Sequence, residues 1–218
     1  MAFTRLGEHV TPVQLRTLNA CINYLETGRW LKAKGFSARP RYSGRELLYA
    51  ALAERIGGER ILYLEFGVWQ GASLRVWSRL LQNPLASLHG FDSFQGLPED
   101  WDTTRPKGTF SVQLPPRFDD QRIALHVGLF EDTLPDFILP EHERLVLHLD
   151  ADLYSSTIYV LRHLGDAIRP GTILIFDEFC DRLHELRAFN EFLDAARMRF
   201  AFLGGTRNLE QVAFERLA

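Results

Sequence analysis

Ile61-Leu-Tyr-Leu-Glu65-Phe-Gly67-Val-Trp-Gln-Gly71-Ala-Ser73 is the stretch whose reading decides the fold. An apolar run meets an acidic residue and then two glycines, and an amphipathic segment, Ser73–Leu81, follows. Glycine lets a backbone reverse sharply and approach a ligand, and the first turn of a helix presents unpaired N–H groups to it. In a sheet of parallel strands covered by helices, such a turn lies at the carboxyl ends of the strands, where the crevice is.

Downstream the alternation repeats. Ser87–Phe91, Ile123–Val127, Leu145–Leu149 and Thr172–Phe176 are short apolar runs, and Thr157–Ile168 and Leu183–Ala196 are amphipathic. This pattern predicts an α/β fold with a doubly wound, mostly parallel sheet. Arg199–Leu203 and Gln211–Phe214, separated by a Gly-Gly turn region, are expected to form an antiparallel hairpin at the sheet edge. Upstream, Thr11-Pro12 with Gln14 marks a helix start, with Leu15, Leu18, Ile22 and Leu25 repeating as far as Gly28. A second helix is expected from a Ser43-x-x-Glu46 capping box to Gly57-Gly58, with Arg39–Ser43 as loop. Residues 1–58 are therefore read as a helical arm and residues 59–218 as the catalytic domain.

The chain has 218 residues, 46% hydrophobic and 12% aromatic, enough to bury one sizeable core. Its 25 Lys and Arg against 28 Asp and Glu leave a net charge of −3 without a basic run, which argues against a nucleic-acid partner. No segment has the composition of an export signal or a membrane span, so a cytoplasmic protein is expected. Cys21 and Cys180 have neither metal-ligand nor redox spacing and are expected as free thiols.

Three features carry chemistry. At the first turn, the spacing is not the G-x-G-x-x-G of dinucleotide enzymes, and Glu65 would repel a pyrophosphate yet attract an amino group, which favours the methionine end of S-adenosylmethionine. At the tip of the next strand, Asp92-Ser93 places a carboxylate where it could accept the hydroxyls of a ribose, or cap the loop. Finally, Leu145–Leu149 runs into Asp150-Ala-Asp152, and Thr172–Phe176 into Asp177-Glu178. Like charges held together need a compensating cation, and an all-oxygen set suits a hard divalent ion such as Mg²⁺. Asp152 could instead cap the following helix. His148, inside a strand, reads as an interior histidine. Between Phe94 and Phe118 a Pro- and Gly-rich stretch without periodicity reads as a lid or substrate loop.

EFGVWQGAS, GFDSFQGLPEDW, HVGLFEDTLP, LHLDADLYSST and ILIFDEF, in this order, resemble the macrocin O-methyltransferase family, the TylF/MycF/NovP-like enzymes of antibiotic sugar methylation. The resemblance implies a class I methyltransferase fold, S-adenosylmethionine as donor and Mg²⁺ chelating vicinal oxygens of a sugar or natural-product acceptor. It implies Asp150, Asp177 and Glu178 as metal ligands and Asp152 as general base. Glu65, Gly67, Gly71, Ser73, Asp92 and Ser93 then form the donor site, with Gly128-Leu-Phe130 near it. Two rival readings are a metal-dependent glycosyltransferase using Asp150-Ala-Asp152 and a methyltransferase-like module that binds without turnover. A homodimer through the N-terminal helices is the expected assembly.

Overall fold

The computed structural model describes residues 2–218. The run Ile61–Phe66 is strand β2, following α1 (Ala2–Gly7), α2 (Pro12–Ala33), the short strand β1 (Arg41–Tyr42) and α3 (Arg45–Ile56). After β2 come α4 (Ala72–Leu80), β3 (Ser87–Asp92), β4 (Ile123–Val127), α5 (Phe130–Thr133), β5 (Arg144–Leu149) and α6 (Tyr154–His163). The chain ends with β6 (Ile173–Phe176), α7 (Glu185–Ala196), β7 (Phe200–Thr206) and β8 (Val212–Arg216).

Eight strands form one sheet in the order β1-β7-β8-β6-β5-β2-β3-β4. All neighbours are parallel except where β8 meets β6 and β7. The antiparallel hairpin is present, but β8 lies inside the sheet and β1 lies along the outer side of β7. Chain order runs outward from β2 through β3 and β4, then returns to β5 on the other side of β2. The crevice between the tips of β2 and β5 is therefore the topological switch point.

The twofold period of the strands divides the apolar residues between two faces. Leu62, Leu64 and Phe66 of β2, Leu145, Leu147 and Leu149 of β5, and Leu174 and Phe176 of β6 face α6 and α7. Ile61, Tyr63, Val146, Ile173 and Ile175 face α3 and α4, where they meet Leu48, Tyr49, Leu52, Leu74 and Trp77. Helices on both faces explain why the central strands read as nearly continuous apolar runs. Glu65 and His148 lie on this second face, as register partners on β2 and β5.

The N-terminal helices differ in two details from the sequence expectation. Thr11 and Gln14 form the capping box, but α2 runs through Gly28 to Ala33. A helical glycine costs about 1 kcal/mol, and docking of the next turn offsets it: Leu31 is buried, and Trp30 packs among Phe36, Phe179, Phe189 and Phe214. The cap of α3 is Gly44 rather than Ser43, without a side-chain bond. Among the described residues no helix is long and apolar enough to cross a membrane.

Phe214 of β8 is fully buried, and six aromatic rings have centroids within 6.3 Å of its own. Phe214→Ala is expected to cost about 3–5 kcal/mol, measured as a lower urea midpoint, whereas Phe214→Leu keeps most of the packing volume and costs much less.

Candidate active site

Four parallel strands, β3, β2, β5 and β6, end level with one another at the switch point. Their continuity is kept by backbone bonds past the strand ends: Gly67 N–H to Phe91 O at 3.0 Å, Asp150 N–H to Phe66 O at 2.9 Å, and Asp177 N–H to Leu149 O at 3.1 Å. Gly67 has a φ of +93°, and a Cβ there would lie 1.8 Å from the Asp150 carbonyl oxygen. Glycine at this position is what lets the β2 turn and the β5 tip lie side by side.

The tips open into a cavity of about 290 Å³. Gly67, Trp69, Asp92, Ser93, Gly128 and Phe130 line it from the β2, β3 and β4 ends. Asp150, Asp152, Asp177 and Glu178 line it from β5 and β6, and Leu97, Trp101, Arg105 and Phe110 from the long loop. Eight residues expected at the site thus share one cavity: Gly67, Asp92, Ser93, Gly128 and the four clustered acids. Glu65, Gly71 and Ser73 do not line it. Glu65 is fully buried, with its two carboxylate oxygens accepting the Tyr63 hydroxyl at 2.6 Å and the Ser73 hydroxyl at 2.9 Å. Gly71 lies under the Phe118 ring.

Asp92 does what a loop cap does. One oxygen accepts Val68 N–H and Trp69 N–H, both at 2.8 Å, and the other accepts Phe94 N–H at 2.7 Å. A carboxylate has about four lone-pair sites, so one acceptor position stays open toward the cavity. Asp152, by contrast, caps nothing: the α6 N-cap is Leu153, without a side-chain bond. The chain turns at Asp152, whose φ is +60°, so Asp150 and Asp152 do not continue the strand alternation.

Six carboxylates line the cavity (Asp92, Glu131, Asp150, Asp152, Asp177, Glu178) against two guanidinium groups, Arg45 and Arg105. Burial, and then Asp177, push the Asp150 carboxyl far above its ordinary range. The same causes, in the same order, raise Asp152 to about 7 and Glu178 to about 8. Asp177 goes the other way despite burial, because His148 and Arg45 stabilise its charge. His148 Nε2 is 3.8 Å from Asp177 Oδ1, and Arg45 Nη2 is 3.4 Å from Asp177 Oδ2. Burial alone would depress the His148 pKa, but Asp177 and Glu65 overcome it and raise it to about 10. His148 is thus the interior histidine expected, held at Nδ1 by the Tyr63 hydroxyl at 2.6 Å, and in addition a buried cation.

Asp177 Oδ1 is buried without a hydrogen-bond partner. A buried acceptor left unpaired is costly, and a metal ion is one partner that satisfies it. One ligand atom each from His148, Asp150 and Asp177 lie within 4.8 Å of one another. Asp150 and Asp177 offer hard oxygens, whereas its acid neighbours raise His148 to about 10, so of this group the two carboxylates are the donors that fit a divalent ion. Glu178, expected as a third ligand, lines the same cavity but is not among the atoms brought together.

Arg45, Glu185 and Trp69 were not singled out in the sequence. Glu185 of α7 is fully buried and accepts Glu178 N–H at 3.0 Å, which fixes the backbone of the second acid pair. Each is a single residue on an otherwise ordinary helix or turn, with no local pattern to mark it. The long loop was foreseen and is well braced: Leu97 N–H bonds Thr109 O, Gly108 N–H bonds Leu97 O, and Val112 N–H bonds Phe94 O. Trp101 and Leu97 pack on Leu153, and Arg105 stacks 3.4 Å from the Trp101 ring centroid.

Raised carboxyl pKa values make stability fall with pH. Asp152 and Glu178 favour folding fully below their unfolded values, and that contribution is lost as pH rises through about 7 and about 8. His148 adds a loss in the same direction toward about 10. In a chelating buffer the melting temperature is expected to fall between about pH 6 and 9, and 10 mM-scale MgCl₂, roughly saturating for such sites, to recover most of that loss. Calorimetry with and without the salt checks both parts.

Residues 64–179, more than half of the chain, match the family model described as a methyltransferase domain. The 8-demethyl-8-(2,3-dimethoxy-alpha-L-rhamnosyl)-tetracenomycin-C 4'-O-methyltransferase of Streptomyces olivaceus is 28% identical over 62% of this chain and 60% of its own length. The mycinamicin III 3''-O-methyltransferase of Micromonospora griseorubida is 27% identical over 63% of each. This chain therefore spans a little under two thirds of the length of the curated relatives it matches. The O-methyltransferase NovP has the same fold, with a TM-score of 0.61 over 78% of this chain and 76% of its own, at 20% identity. The matched segment runs from β2 through the last of the clustered acids, and the chain belongs to the methyltransferase domain family.

Proposed function

We propose that the protein is an S-adenosylmethionine- and divalent-metal-dependent O-methyltransferase acting on one hydroxyl of a vicinal diol in a sugar or sugar-bearing natural product. The observation that carries this reading is the acid cluster with an unpartnered Asp177 oxygen beside a glycine turn at the switch point. The two relatives named for methylation of glycosides support the acceptor class. The glycosyltransferase and binding-module readings are not favoured, since neither accounts for the family match together with an intact acid set.

In this reading Gly67, Asp92, Ser93 and Gly128 hold the donor, and Glu65, Gly71 and Ser73 support the turn from below. Asp150, Asp177 and Glu178 hold the metal. When bound, the donor supplies an electrophilic methyl group and the divalent ion acidifies the hydroxyl it chelates. Asp152 accepts the hydroxyl proton. In the metal-free site burial and Asp177 raise its pKa to about 7, and a base at neutral pH is served by a value near this one. Arg45 and His148 hold Asp177 ionised, so the site keeps one unprotonated acid even when its neighbours carry protons. Trp101, which is buried, and Trp69 and Phe110, which are exposed, provide flat apolar faces for a sugar ring and its aglycone.

An N-terminal helical arm at residues 1–58, of which β1 and α3 are built into the body and α2 projects, a homodimeric assembly, a cytoplasmic location and the absence of a nucleic-acid partner belong to the same proposal. They are supported by the projecting α2, the two free thiols and the balanced charge.

Asp152→Asn is expected to lower turnover by roughly 10²–10⁴-fold while leaving the calorimetric affinity for S-adenosylhomocysteine unchanged. Undiminished turnover at neutral pH would remove Asp152 as the base. Asp177→Asn is expected to abolish Mg²⁺ binding by calorimetry while donor-product binding persists. Failure of the wild type to bind either S-adenosylhomocysteine or Mg²⁺ would overturn the reading.

A further inference from the structure

Helix α2 is docked at only one end. From Thr27 onward it packs on the body, with Thr27 and Leu31 buried and the Trp30 indole N–H donating to Asn190 Oδ1 at 2.8 Å. Every side chain from Val13 to Ile22 is exposed. The body's hold on this half is light, with Arg182 donating to Asn19 and Asn23. A helix of this length without packing is marginal in water.

Its exposed apolar residues are ordered. Leu15, Leu18, Ile22 and Leu25 follow one another at intervals of three, four and three residues, the spacing of a two-heptad seam. They form one stripe beside the body-facing row of Asn19, Asn23 and Thr27, and Leu25 is 74% exposed. The stripe is also a palindrome. Positions equally distant from Ala20 carry matching side chains, Leu18 with Ile22 and Leu15 with Leu25.

We infer that the stripe pairs with the same stripe of a second copy, the two α2 helices running antiparallel about a twofold axis at the level of Ala20. Such an axis sets Leu18 against the partner's Ile22 and Leu15 against the partner's Leu25, so one surface serves both sides of an isologous contact. Antiparallel helices also oppose their macrodipoles, and the basic end with Arg29 and Lys32 comes to the end that carries the partner's Glu8. A partner of different sequence would need no palindrome. This inference rests on the homodimer proposed above and adds the surface that makes it. Cys21, exposed and next to Ala20, flanks the axis, so the two copies bring their Cys21 thiols to the same place.

Light scattering on the full chain at micromolar concentration is expected to give twice 25.1 kDa for the wild type and 25.1 kDa for a Leu15→Glu, Leu18→Glu variant. Both residues are exposed in the protomer, so the variant is expected to keep its S-adenosylhomocysteine affinity, which separates dissociation from unfolding. A short bismaleimide is expected to join two wild-type chains, and no longer to do so in Cys21→Ser, where Cys180 remains. A wild type at 25.1 kDa overturns the homodimer and the surface together, and its co-sedimentation with anionic vesicles assigns the stripe to lipid instead. A dimer that survives the double substitution keeps the homodimer and overturns the surface.

Discussion

Mutual repulsion among carboxylates delivered to the tips of two adjacent parallel strands is the constraint on which the rest of the molecule depends. Asp150, Asp152, Asp177 and Glu178 converge because β5 and β6 are neighbours in register and end together. Burial strengthens the repulsion by removing the solvent that would screen it. The fold answers with raised pKa values on some acids and with cations beside one. His148 and Arg45 approach Asp177 from below and from the side, and the Tyr63 hydroxyl ties His148 to Glu65. The second face of the sheet therefore holds one polar group, Glu65, Tyr63 and His148, inside otherwise apolar packing, with Tyr49 and Trp77 against it.

That arrangement divides labour between the two faces. The face under α6 and α7 is apolar and rich in aromatic rings, and supplies cohesion. The face under α3 and α4 carries Glu65 and His148 and sets the electrostatics of the tips. Residues at the site are consequently only as well positioned as helices that contribute little to the cavity wall, such as α3, which brings Arg45, and α7, which brings Glu185.

The sheet, its hairpin and the strand-tip acids were legible in the sequence because their signals are local: short apolar runs alternating with amphipathic segments, glycines at turns, and acids directly after strands. The end of α2 was not, since Gly28 is a stop signal that tertiary docking of Trp30 and Leu31 overrides. The spacing around Glu65 marked it as a group to attract the donor's amino end, but the direction of its carboxylate is decided by Tyr63 beside it, Ser73 on α4 and His148 on β5. His148 was readable as interior, whereas its charge depends on Asp177, which lies 29 positions along the chain and one strand across. Arg45 and Glu185 had no signal at all, because a single charged residue on a helix is ordinary until its neighbours in space are known.

Asp92 has a consequence of another kind. Its carboxylate joins the turn after β2, through Val68 and Trp69, to the first residue of the long loop, Phe94. The Trp69 and Phe110 rings, with centroids 6.0 Å apart, make a second joint between the same two segments. These two segments of the cavity wall are thus a single mechanical piece. A displacement imposed on one is transmitted to the other, so in the proposed reaction donor and acceptor would each feel the other's binding through the protein, and linkage would make that influence reciprocal.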